Sequence, residues 1–332
     1  MKIPIRSTCR FLAQACFAAV RASGARGAQP EWQPGSGLEQ VPIWPKDAPD
    51  LQPLPGPENE TKTEPRTGVG GAWTYVTNVA RPTMTVYPPK GKNTGVAVVV
   101  FPGGGYRVLA MDLEGTEICE WFASQGITAV LLKYRVPFSG PHWDPETKRH
   151  KEVKNPAALQ DAQRTIGLVR AHAAEWGVDP HKVGVIGFSA GGHMIADVST
   201  HFEKRAYPPV DAADKESCRP DFAIALYPGH MLENTTKEFE LNPKVPVTKD
   251  VPPTFIAQAE DDPVDEIQNS LVYYIALEKA GVPVEMHLYA RGGHAFGLRP
   301  SEFPITEWPR LVEKWLRTIG MISANTAPAV AK

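Results

Sequence analysis

From residue 71 onward, short β-branched runs take turns with longer stretches whose apolar positions recur at helical spacing. Strand and helix signals alternating in this way predict a parallel sheet covered by helices. The strand pattern falls at Thr83 to Tyr87, Val96 to Phe101, Ile127 to Tyr134, Val183 to Gly187, Phe222 to Tyr227, Thr254 to Ala259 and Val284 to Tyr289. Val96-Ala97-Val98-Val99-Val100-Phe101 has no polar alternation, which predicts a strand buried on both faces at the centre of the sheet. Helices are predicted over Leu113 to Ser124, Pro156 to Trp176, Gly191 to Thr200, Ile267 to Ala280 and Trp308 to Ile319. In the second, Ala158, Ala162, Ile166, Val169 and Ala173 line one face, and Pro156 suits a first turn.

Two stretches interrupt the alternation, residues 135 to 155 and 228 to 253, each after the C-terminal end of a strand, where loops shape binding sites. Residues 29 to 70 are rich in proline and glycine and are expected to wrap the surface as irregular chain, with the folded body spanning 71 to 320 and a flexible tail at 321 to 332. Residues 1 to 28 carry Lys2, Arg6 and Arg10, then the largely apolar run Phe11 to Val20, then small residues, an order that predicts a signal peptide and export to a periplasmic or extracellular compartment.

Composition narrows the classes. The 332 residues are 42% hydrophobic and 22% charged, enough for one large globular core. The net charge is −2, and the leader holds five basic residues and no acid, so the remainder is more acidic than the total and unsuited to nucleic acid. No later segment is apolar for long enough to span a membrane. Of four cysteines, two lie in the leader, and Cys119 and Cys218 are expected to be free thiols.

Candidate chemistry sits at strand ends. Gly187-Phe188-Ser189-Ala190-Gly191 fits G-x-S-x-G between a strand and a helix, a turn sharp enough that bulky residues two positions to either side of the serine would collide, hence Gly187 and Gly191, and that pushes the serine hydroxyl into the open. Phe101-Pro102-Gly103-Gly104-Gly105-Tyr106 follows the central strand. Glycines there let main-chain N–H groups approach a developing oxyanion, and Gly104, Gly105 and Ala190 are the expected donors, with Gly103 as an open neighbour. After Thr254 to Ala259 comes Glu260-Asp261-Asp262-Pro263-Val264-Asp265, and after Val284 to Tyr289 comes Arg291-Gly292-Gly293-His294-Ala295-Phe296-Gly297. The order serine, acid, histidine is that of an α/β-hydrolase triad, which assigns Ser189 as nucleophile, His294 as general base and Asp262 as the acid that orients it. Asp261 is the reserve for the acid, and Asp265 is read as charge at a helix N-terminus.

The other histidines show no metal-ligand spacing, so neither a metal nor a cofactor is expected, and His193 is given a structural hydrogen bond. Asp161, Arg164 and Arg170 are read as salt-bridging residues on the polar or boundary face of their helix. Tyr106, His142 and Trp143 either border the pocket or simply pack.

Phe101 to Tyr106, Tyr134-Arg135-Val136-Pro137, Gly187 to His193 and Gly292 to Gly297, together with Pro42-Ile43-Trp44-Pro45, resemble the bacterial acetylxylan and feruloyl esterase branch of the α/β-hydrolases. The resemblance covers most of residues 41 to 319. It implies an α/β-hydrolase fold with helices on both sheet faces and cofactor-free removal of acetyl or related acyl groups from plant-type polysaccharide. Acylated carbohydrate or a small ester would be the substrate. It also implies the same triad and oxyanion loop. Ala295 departs from the family, where glycine is more frequent. Two other functions remain open at this point, a prolyl-oligopeptidase-type serine peptidase and a non-catalytic binding module on the same fold.

Overall fold

The computed structural model describes residues 31–64, 71–136, 143–144, 149–150, 155–232 and 239–323. The expected leader, His142 and most of the terminal tail lie outside these residues, as do the side chain of Trp143 and parts of the loops at 135 to 155 and 228 to 253.

Eight strands form the main sheet: β1 (Gln40–Pro42), β2 (Thr83–Tyr87), β3 (Ala97–Phe101), β4 (Thr128–Lys133), β5 (Val183–Phe188), β6 (Ala223–Leu226), β7 (Thr254–Ala259) and β8 (Val284–Tyr289). Their spatial order is β1-β2-β4-β3-β5-β6-β7-β8. The first two pairings, β1 with β2 and β2 with β4, are antiparallel and all the others parallel. Every residue of β3 to β7 is buried, as strands covered on both faces must be. Edge strand β8 is half exposed.

Five α-helices complete the layers: α1 (Glu117–Ser124), α2 (Pro156–Ala171), α3 (Ala190–Thr200), α4 (Gln268–Lys279) and α5 (Trp308–Thr318). Helix α1 starts four residues later than predicted because Asp112–Thr116 winds as a wider π-type turn. Helix α2 ends at Ala171, short of Trp176, although Ala173 is buried as its spacing suggested. Cys119 and Cys218 are buried and unpaired. Among the described residues no helix is long and apolar enough to cross a membrane.

The proline-rich segment is more integrated than expected. Gln40–Pro42 supplies edge strand β1, and Asn59–Lys62 joins Thr74–Thr77 and Val108–Ala110 in a small antiparallel sheet. Ile43 and Trp44 are buried in the main core. Strands this short carry no readable alternation, and proline at an edge is compatible with pairing.

The charged residues of α2 also differ from expectation. They do pair, but Asp161, Arg164 and Arg170 are buried rather than at a polar boundary. Asp161 accepts hydrogen bonds from the Arg135 side chain and main chain at 2.8–3.0 Å and from Trp44 Nε1 at 2.9 Å. Arg164 donates to the Ile43 carbonyl at 2.9 Å. Asp161 and Arg164 draw the proline-rich segment onto the body because a buried charge needs partners, and Trp44 and Ile43 supply part of them.

Candidate active site

Sheet register brings the four loops together. Gly187 lies opposite Phe101 on one side and Ala225 on the other, so the serine turn and the glycine loop leave the sheet side by side. This is the point where the strand order reverses, the usual crevice of such a sheet. Ala259 is opposite Tyr289, so the acidic and histidine loops likewise emerge as neighbours.

Ser189 sits at φ 52° and ψ −117°, a strained backbone for a residue with a side chain, costing on the order of 1–3 kcal/mol. The turn survives because the residues two positions to either side of the serine are glycines. A Cβ on Gly187 would lie 2.1 Å from the Gly191 carbonyl oxygen, and one on Gly191 would lie 2.1 Å from that of Phe101.

His294 Nδ1 and Asp262 Oδ2 are 2.8 Å apart. The other Asp262 oxygen accepts from the N–H groups of Val264 (2.8 Å) and Asp265 (3.0 Å), which holds the carboxylate in place against the imidazole. Asp261 points elsewhere: its Oδ1 accepts from the N–H groups of Gly292 (2.9 Å) and Gly293 (2.7 Å), tethering the histidine loop by its backbone. Neighbouring residues on one turn thus do different things. Asp262→Asn is expected to lower kcat by on the order of 10³-fold or more, since an amide can hold the wrong imidazole tautomer, whereas Asp261→Asn should cost about tenfold or less. Steady-state kinetics of both variants check this, and the reverse ranking would exchange their roles.

Asp265 departs from its expected role. Helix α4 begins only at Gln268, and the Asp265 carboxylate turns into the site, where its Oδ2 accepts the Ser189 hydroxyl at 3.1 Å and lies 3.9 Å from His294 Nε2. Both side chains therefore converge on a single carboxylate oxygen, and the serine proton points at Asp265 in this resting arrangement.

The glycine loop is braced from several directions. Tyr134 donates its hydroxyl to the Pro102 carbonyl at 2.7 Å, and the Tyr106 hydroxyl and His193 Nδ1 are 2.8 Å apart. Tyr106 is thus buried beneath the loop, and His193 makes the kind of structural bond expected of it. The N–H of Gly103 is already committed to Glu114 Oε2 at 2.8 Å. The N–H groups of Gly104, Gly105 and Ala190 have no protein acceptor among the described residues, which leaves them for an oxyanion.

Glu114 and Tyr227 were missed by sequence reasoning. Glu114 is buried, and its second oxygen accepts the Tyr227 hydroxyl at 2.8 Å. The Tyr227 ring packs edge-on to His294, with centroids 4.9 Å apart. A signal existed: Glu114, Ile118 and Phe122 share a helical face, which places a carboxylate on an apolar stripe. Burial raises the Glu114 pKa, and the nearby His294 together with its two hydrogen-bond donors only partly offsets this. Burial alone would lower that of His294. The hydrogen bond to Asp262 and the charges of Asp265, Asp262 and Glu114 outweigh burial, so the net shift is upward. Among the described residues no cluster of three or more potential ligands is arranged to hold a metal.

Known proteins share sequence and fold with this chain. Residues 84–228 match the BD-FAE family. An acetylxylan esterase of Xylanibacter ruminicola is 30% identical over 235 residues, 64% of this chain and 43% of that protein. Endo-1,4-beta-xylanase B of Butyrivibrio fibrisolvens is 29% identical over 224 residues, 62% of this chain and 33% of that protein. The chain thus spans less than half the length of either relative. The crystal structure of an acetyl ester-xyloside bifunctional hydrolase from Caldicellulosiruptor lactoaceticus superposes with a TM-score of 0.65 at 31% identity, covering 86% of this chain and 97% of that one. With the mostly parallel sheet and the serine turn at its strand-order reversal, these matches assign the chain to the α/β-hydrolase superfamily, in the esterase branch that includes the BD-FAE family.

Proposed function

We propose that the protein is a serine carboxylic-ester hydrolase that removes acetyl or related acyl groups from plant-type polysaccharide or oligosaccharide through an acyl-enzyme. The observation that carries this reading is the 2.8 Å His294–Asp262 pair, set beside a strained serine and next to three amides with no protein acceptor among the described residues. The similarity to proteins named for acetylxylan and acetyl ester-xyloside hydrolysis supports the carbohydrate ester. Export, argued from the pattern of residues 1 to 28, is part of the same reading, because such polysaccharides lie outside the cell.

The reaction needs one rearrangement first: the Ser189 hydroxyl turns from Asp265 to His294 Nε2. Its oxygen then attacks the ester carbonyl while Nε2 takes the proton, and the amides of Gly104, Gly105 and Ala190 receive the oxyanion. Collapse returns the proton to the departing alcohol. Water, deprotonated by the same imidazole, releases the acid and restores Ser189. Asp262 keeps the imidazole in the right tautomer and balances its charge while it is protonated.

The test is turnover of p-nitrophenyl acetate against peptide p-nitroanilides, with the pH dependence recorded. The ester should be hydrolysed and the anilides not. Because the imidazole must be neutral to act, kcat/KM should fall as pH drops through a pKa above that of an ordinary histidine. Cleavage of the anilides would favour the peptidase, and inactivity on both a binding module.

A further inference from the structure

We infer that Asp265 is a substrate-reading group on the leaving-alcohol side of the site, where it accepts a hydrogen bond from a sugar hydroxyl adjacent to the ester oxygen. The inference rests on the ester-hydrolase reading above and deepens it. The alcohol oxygen that takes the proton from His294 Nε2 must lie within hydrogen-bond reach of that nitrogen. Asp265 Oδ2 is 3.9 Å from Nε2, which puts it on the same side of the imidazole as the departing oxygen and within range of a hydroxyl next to that oxygen.

The carboxylate is held for this position. Its backbone carbonyl accepts from Gln258 Nε2 and its N–H donates to Asp262 Oδ1. Its Oδ1 packs so closely on Gly229 that a Cβ there would lie 2.5 Å away. The side chain is 12% exposed and its Oδ2 faces Ser189. A carboxylate with this geometry accepts from a neutral hydroxyl with charge assistance and repels anionic groups.

The resting contact gives the substrate a second task. Ser189 donates to Asp265 at 3.1 Å, and that donation competes with the Ser189–His294 bond that catalysis requires. A neighbouring sugar hydroxyl donating to Asp265 takes the place of the serine and leaves its hydroxyl to His294 Nε2. No atom is transferred; one donor replaces another on the same oxygen. Simple alkyl or aryl esters have no such donor. The charged and titratable groups facing His294 are Asp262 and Asp265 from the acidic loop, Glu114 from the turn before α1, and Tyr227 from the end of β6.

The test uses the full chain and two substrates, a mono-O-acetylated methyl xyloside with its neighbouring hydroxyls free and the same compound with those hydroxyls methylated. Wild type should favour the free form in kcat/KM by on the order of tenfold or more, the worth of one charge-assisted hydrogen bond. In Asp265→Ala the preference should fall to about twofold or less, and in Asp265→Asn to an intermediate value. A general loss of alignment would slow both sugars equally and leave the ratio untouched, so a preference that survives in Asp265→Ala, or is absent from wild type, overturns the inference. If Asp265→Ala does not fold, the nearly isosteric Asp265→Asn carries the comparison. Wild type that hydrolyses p-nitrophenyl acetate but neither sugar ester would sink the carbohydrate reading itself, a result distinct from equal hydrolysis of both.

Discussion

Ser189→Ala is expected to lower kcat on p-nitrophenyl acetate by at least about 10³-fold, equivalent to about 4 kcal/mol of barrier, with the fold intact. The variant removes the only atom proposed to form a bond with substrate, and no neighbour can replace it. The Asp265 carboxylate is a weaker nucleophile than an alkoxide-like serine, and His294 would be left to activate water directly. Alanine retains the strained turn, because the strain comes from the tight approach of Gly187 and Gly191 to their surroundings and not from the hydroxyl. An unfolding midpoint close to wild type, alongside the lost turnover, checks both halves of the expectation. Retention of most activity would remove Ser189 from the mechanism.

The largest effect on stability is expected at Asp161→Ala, at about 3–5 kcal/mol, measured by urea unfolding. Asp161 is fully buried and satisfies three groups at once: the Arg135 guanidinium, the Arg135 main-chain N–H and the Trp44 indole. Its removal leaves a buried cation without its carboxylate. The carbonyl of Ala157 and the Gln160 side chain still accept from Arg135, which argues for the lower part of that range. Replacing both partners with apolar residues of similar volume, as in Arg135→Met with Asp161→Leu, should cost less than the single change, because no charge is then stranded. A double variant as unstable as the single would point to lost packing instead.

The sheet was legible because its strands are long enough to show a pattern. Thr83–Tyr87, Thr254–Ala259 and Val284–Tyr289 begin and end where the apolar runs do. Gln40–Pro42 was not, since three residues cannot display alternation and prolines around them suggest irregular chain. At the site, motif order was enough to nominate Ser189 and His294. Sequence ranked Asp262 above Asp261 without fixing the choice, because that depends on which way a two-residue turn aims each side chain, and the turn aims Asp262 at His294. Asp265 was misread for a related reason: charge near a helix start suggests a cap, whereas the bonds to Gln258 and Asp262 and the close approach to Gly229 hold it facing the serine. Ala295 is the family departure, and it sits at φ 59°, where glycine is the less strained choice.

One buried carboxylate spans two halves of the reaction centre, since Glu114 receives the Gly103 amide with one oxygen and the Tyr227 hydroxyl with the other. Gly103 opens the loop that would receive the oxyanion, and Tyr227 backs the ring that would move the proton. Heating cannot loosen one without slackening the other, so inactivation should proceed as a single step in which charge stabilisation and proton transfer vanish together, with no surviving half-site.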